Sequence, residues 1–179
     1  MLHRADVRRT LLILSLRIFR APSPHPVEHV SMTEQPHDAD GPLDEVIVMT
    51  NGADADWSNH RSGMSIQFGV SGDLSGSSQV FMTRQKIPPG MYSTPHWHVN
   101  CETAIYILQG PVEMAYGEQL EHVHRCESGD FLYVPPRSIH QLSNPRQDRE
   151  AEVVLCRNAA EEIVAEVDIP GAPGCSPAE

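Results

Sequence analysis

Lysine is nearly missing from this chain: Lys86 is the only one among 13 basic residues, and the rest are arginine. We read that as coding bias rather than chemistry. Basic charge of either kind is outnumbered by 24 acidic residues, which leaves a net charge of -11. A nucleic-acid partner is argued against, because such a binder needs a basic patch to displace counterions. There is no C-x-x-C pair among Cys101, Cys126, Cys156 and Cys175, so a structural zinc site of the finger type is not suggested. Their spacing is not that of a secreted disulfide framework either, which points to free, mostly buried thiols in a reducing, cytoplasmic setting. No apolar run approaches the ~20 residues of a membrane span. The nearest, "LLILSLRIF" at 11–19, is short and broken by Arg17. Its flanking charges and the "APSPHP" that follows lack the organisation of a signal peptide, and an Arg-rich transit peptide is only weakly supported. Long helical periods are absent as well. The one candidate, "NAAEEIVAEV" at 158–167, reads equally as a turn followed by a final strand.

What is present bounds a single domain. The chain has 179 residues, enough for one ordinary core and too few for two. Residues 1–31 carry five arginines against Asp6 and Glu28, opposite in sign to the rest. Either Met32, which opens the polar "MTEQPHDADGP", is the translated start, or 1–31 is a disordered or weakly helical leader. On both readings 32–44 is loose, and the expected division is a disordered leader at 1–44, a folded domain at 45–168 and a flexible tail at 169–179.

From residue 45 short segments recur: "EVIVMT" (45–50), "MSIQFG" (64–69), "SQVFMTRQKI" (78–87), "TAIYIL" (103–108), "VEMAYG" (112–117), "LEHVHR" (120–125), "FLYVP" (131–135) and "AEVVLCR" (151–157). They are rich in β-branched and aromatic residues, and several alternate apolar with polar. Turn signals such as "PPG", "QGP" and "ESGD" separate them. The expectation is an all-β domain, a sandwich or barrel, with a jelly roll closing most of its edges. No internal repeat is visible, so one barrel is expected.

The stretch "PHWHVNCE", 95–102, concentrates metal-ligand chemistry. Taken as a strand, it puts His96, His98, Asn100 and Glu102 on one face, because side chains alternate with period two. Neutral imidazole with carboxylate suits a divalent first-row metal. His140, after the turn in "PPRSIHQLSN", is the best placed fourth ligand. A second pair, His122 and His124, lacks a carboxylate in frame and reads as ordinary strand histidines. Trp97 and Cys101 have the opposite parity and should pack away from the metal.

At this point the chain resembles the cupin superfamily. Its first motif is glycine, five residues, His-x-His, three or four residues, glutamate, about six residues, glycine. Here that is Gly90, His96, His98, Glu102 and Gly110, with the last spacer one residue long. The second motif is glycine, five residues, Pro-x-Gly, two residues, histidine, three residues, asparagine. Here that is Gly129, Pro135, His140 and Asn144, with Arg137 in place of the second glycine. The resemblance covers about 45–168 and implies a double-stranded β-helix. It also implies one divalent metal per chain (Fe, Mn, Zn or Ni) on His96, His98, Glu102 and His140.

The resemblance further implies a small-molecule ligand and a homodimer paired or exchanged through the segments at 45–50 and 64–69, while the acidic charge and the lack of a spanning run leave neither nucleic acid nor membrane as an expected partner. It admits dioxygenases, decarboxylases, isomerases, lyases and binding modules, so the pocket decides the function. The leading expectation is oxygen-dependent, dioxygenase-like chemistry, with Tyr106, Tyr133 or Gln141 orienting the substrate. The alternatives are a metal-dependent isomerase or lyase, and a non-catalytic binding or sensing protein.

Overall fold

The turn-bounded apolar segments fold as short antiparallel strands in a computed structural model that describes residues 12–19, 57–59 and 63–173. In chain order these are β1 (Leu12–Phe19), β2 (Ser58–Asn59), β3 (Ser65–Val70), β4 (Phe81–Ile87), β5 (His96–His98) and β6 (Thr103–Gln109). After them come β7 (Val112–Tyr116), β8 (His122–Cys126), β9 (Phe131–Val134), β10 (His140–Ser143), β11 (Ala151–Arg157) and β12 (Glu162–Asp168). One turn of helix, α1 (Gly72–Ser75), is capped by the Ser71 side chain, which accepts from the Leu74 amide at 3.2 Å.

Two six-stranded sheets result, ordered β1-β12-β5-β10-β7-β8 and β2-β3-β4-β11-β6-β9. This is the expected all-β jelly roll. The ambiguous segment at 158–167 resolves as a turn followed by β12. The expected strand at 45–50, and the question of Met32, lie outside the described residues.

Alternation sets the core. In β6, Thr103, Ile105 and Ile107 are buried while Ala104, Tyr106 and Leu108 are exposed. In β11, Ala151, Val153, Leu155 and Arg157 point inward. Ile107, Val112 and Val153 are fully buried among Met64, Ile87, Ile105, Met114 and Leu155. Each such side chain contributes about 1.5–3 kcal/mol, so Ile107→Ala alone costs about 2–5 kcal/mol.

The motif residues do structural work at the turns. Gly90 and Gly129 hold φ of +68° and +97°, which an L side chain resists. Asn144, fully buried, donates through Nδ2 to the Ile87 and Arg149 carbonyls and accepts from the Arg146 amide. Arg137 adopts φ +62° where the motif has glycine, and its amide donates to the His98 carbonyl at 3.1 Å.

Two expectations about the ends are corrected. The leader, expected to be loose, contributes β1, which pairs antiparallel with β12 from Leu12↔Asp168 to Phe19↔Glu162. The reason is that β12 would otherwise leave its outer N–H and C=O groups unpaired, and the aliphatic run satisfies them. The expected tail is also anchored at its start. Ile169 is buried, and the Pro173 carbonyl accepts from the Gln141 amide at 2.7 Å.

Candidate metal centre

Three histidines meet on the inner face of the first sheet. β5 lies between β12 and β10, with His96 opposite His140 across one ladder and opposite Glu166 across the other. Directly opposed residues share a face, and His98, two positions along β5, shares it too. The ring centroids stand 4.4 to 5.1 Å apart, and a ligand nitrogen from each ring lies within 4.8 Å of the others. His98 and His140 are fully buried and His96 partly so.

Hydrogen bonds fix which nitrogen is free. Nδ1 of His96 donates to the Thr94 carbonyl at 2.7 Å, and Nδ1 of His140 to the Ser138 carbonyl at 2.8 Å. A carbonyl only accepts, so in both rings Nε2 carries the lone pair. His98 Nδ1 lies 3.0 Å from Glu162 Oε1, an ion-pair distance, although the ring N–H is poorly aligned for donation. Glu162 also meets Arg157 Nη2 at 2.8 Å, and both side chains are buried.

The electrostatics keep the imidazoles available. Burial, reinforced by His98, pushes His96 from 6.5 down to about 4, and burial with His96 and His98 pushes His140 well below its ordinary value. Burial would raise the Glu162 carboxyl. Arg157 and then His98 outweigh it, and Glu162 falls to about 2. At neutral pH the set is therefore two neutral rings beside an ionised, paired carboxylate. Neutral imidazole lone pairs are the form that ligates metal. A carboxylate behind a ligating ring is the usual means of orienting it. His96, His98 and His140 thus fit a divalent ion.

Glu102 does not join them. Its Oε2 accepts from the Tyr133 hydroxyl at 2.6 Å and its Oε1 from Asn158 Nδ2 at 3.2 Å, on the outside of the barrel. The physical reason is a break in the strand. β5 ends at His98, and the bend at Val99–Asn100 resets the alternation. From Cys101 onward the odd positions face inward, so Thr103 is buried and Glu102 is not. The over-long spacer before Gly110 was the sign of this. With four residues after His98, the motif's glutamate position falls on Thr103, and six residues then reach Gly110.

Nor do the three expected substrate residues line the histidine pocket. Tyr106 and Tyr133 sit on the outer face of the second sheet, where Tyr106 packs against Phe131. Gln141 is buried, but its amide donates to the Ser93 and Pro173 carbonyls away from the rings. Met114, by contrast, does line the pocket. Cys101 packs as expected, and burial raises its thiol to about 11. His122 and His124 are exposed strand residues.

Sequence reasoning missed Arg157, Glu162 and Glu166, all of which line the pocket. The available signal was the row of acids at even positions, Glu162, Glu166 and Asp168, in an otherwise apolar strand. The rest of the lining mixes polar Thr83, Gln85, Ser93, Thr94 and Thr103 with apolar side chains, of which Ile66, Phe68, Phe81, Ile105 and Leu155 lie on the sheet opposite the histidines.

Comparison with known proteins agrees with this picture. Residues 83–156 match the family model of the cupin domain. No curated protein matches the sequence. Among solved structures, the polyketide cyclase RemF from Streptomyces resistomycificus is 15% identical. It aligns over 72% of this chain and 90% of its own, with a TM-score of 0.60. A Cupin 2 conserved barrel domain protein from Salinispora arenicola is 18% identical over 65% of this chain and 92% of its own, with a TM-score of 0.53. At these identities the likeness is one of fold. The segment that matches the cupin domain carries the three histidines inside a two-sheet barrel, and the chain shares its fold with these structures.

Proposed function

We propose that this chain is a divalent-metal-dependent enzyme acting on a small, partly apolar organic molecule. The observation that carries the reading is the convergence of His96, His98 and His140, with the pKa of His96 and of His140 lowered by burial, in one pocket whose far wall is largely apolar. Fe, Mn, Zn and Ni all accept such a set. Such an ion would supply Lewis acidity, and among the described residues no carboxylate joins the three histidines to offset its charge.

The chain's own residues do the remainder. The Thr94 and Ser138 carbonyls hold two rings by Nδ1, and Glu162 braces the third. The apolar wall orients the carbon skeleton and excludes water. Glu162 is held by Arg157, and Glu166 is a second carboxylate in the pocket lining that could accept or return a proton. This favours isomerase-, lyase- or cyclase-type chemistry. The oxygen-dependent reading is second: His96, His98 and His140 would hold a redox-active ion, which could supply oxygen chemistry to a substrate in the same pocket. We place the protein in the cytoplasm, where Cys101, Cys126 and Cys156 stay free. We also propose a homodimer, supported by the apolar outer face on which Phe131 is 79% exposed.

The test is elemental analysis of protein purified without a histidine tag, followed by a turnover screen with Zn and with Fe under argon and in air. Anaerobic turnover with Zn supports the leading reading, and oxygen consumption with Fe supports the second. Tight binding without turnover makes this a binding protein, and no metal in any preparation sinks the proposal.

A further inference from the structure

Thr103 and Arg157 are Cα partners across the β6–β11 ladder, and both face the histidine pocket. Thr103 is 1% exposed and Arg157 7% exposed. The Thr103 hydroxyl and the Arg157 Nε–H have no hydrogen-bond partner among the described residues. Buried polar groups are nearly always satisfied, and leaving two adjacent donors unpaired is costly. Both donors belong to one wall. The guanidinium is held from behind by Glu162 at Nη2, and its carbon lies 5.8 Å from the Phe81 ring centroid. The Glu162 oxygen that it meets is also 3.0 Å from His98 Nδ1, so the unpaired donors border the three-histidine cluster.

We propose that Thr103 and Arg157 form an oxyanion seat for the substrate, whose class is a small organic acid or enolate with an apolar remainder. The inference rests on the metal-dependent reading above. Thr103 is shorter than the glutamate that the motif places there. It leaves room beside the rings for a substrate oxygen, where a glutamate would supply its own. The hydroxyl and Nε–H both donate, and a carboxylate or enolate oxygen only accepts. Charge agrees with this. Arg157 is balanced by Glu162, and Glu166 adds one negative charge, so the pocket becomes net positive only with a divalent ion bound. Anion binding should therefore require the metal. The apolar wall around Phe68, Phe81 and Leu155 takes the remainder of the molecule.

The probes are acetate and benzoate, with acetamide as the neutral control. They are titrated into cobalt(II)-loaded protein and followed by the visible spectrum and by calorimetry, after metal occupancy has been measured. Wild type should bind acetate, bind benzoate more tightly and ignore acetamide. Thr103→Val keeps the shape and removes the hydroxyl. It should weaken both acids roughly tenfold at unchanged metal occupancy. Arg157→Lys keeps the charge against Glu162 but loses the Nε–H, and should weaken them further. Thr103→Glu should retain cobalt and shut acetate out. Acetate held equally well by wild type and Thr103→Val would mean that the ion alone binds it, and would overturn the seat while leaving the metal site standing. The same holds if full cobalt occupancy brings no acetate binding. Absence of cobalt from the wild type overturns both inferences.

Discussion

Acid should destabilise the metal-free protein earlier than carboxylate chemistry alone would. In the folded chain His96 is partly buried, its Nδ1–H is spent on the Thr94 carbonyl, and its pKa is lowered from 6.5 to about 4. The unfolded chain binds that proton near 6.5, and the folded one does not until about 4. Between those values the unfolded state holds more protons, so stability falls as pH falls. The shift is worth about 3 kcal/mol in total, a sizeable share of the roughly 5–15 kcal/mol of a typical domain. His140 is displaced in the same direction and adds to the loss. Glu162 has the opposite sign. Its pKa is depressed, so its contribution is complete above 4.5 and fades only as pH falls toward about 2, largely below the histidine window. Urea melts of metal-free protein at half-unit steps from pH 7.5 to 4 read this directly. The free energy should be flat above about pH 7 and should decline steeply from about 6.5 to 4. Added zinc should raise the plateau by mass action and steepen the decline, as protons compete for the same nitrogens. A stability unchanged between pH 7 and 5 would refute the reasoning, since it would mean that the rings titrate as if in water and that the pocket is not the dry, neutral site described.

Other outcomes separate the two glutamates and test the turns and the edge. His98→Ala should lose most of the metal, whereas Glu102→Gln should hold it within about twofold; a tenfold loss in the latter, about 1.4 kcal/mol, would return Glu102 to the ligand set. Arg137→Gly relieves a side chain held at φ +62° and should stabilise the fold by about 0.5–1 kcal/mol, read as a rise in the melting midpoint of about 2–4 °C. Deleting residues 1–31 strips β1 from β12 and should lower the midpoint by about 5 °C, while an unchanged midpoint would mean that the strand contributes nothing in solution.

Short apolar segments between glycine- and proline-rich turns were enough to indicate an all-β jelly roll, because strand alternation and turn chemistry are local properties of the chain. The two motifs likewise marked His96, His98 and His140, since period two on one short strand fixes which side chains share a face. What local pattern could not supply was continuity through Val99–Asn100. Parity survives only while the strand does, and one bend moved Glu102 outside and brought Thr103 in. Arg157, Glu162 and Glu166 enter the pocket from strands far along the chain from "PHWHVNCE". Their facing depends on which strands become neighbours, and that is settled by burying the core of both sheets at once. The pairing of β1 with β12 has the same origin: it joins the two ends of the sequence through unpaired backbone groups that exist only after the barrel has closed.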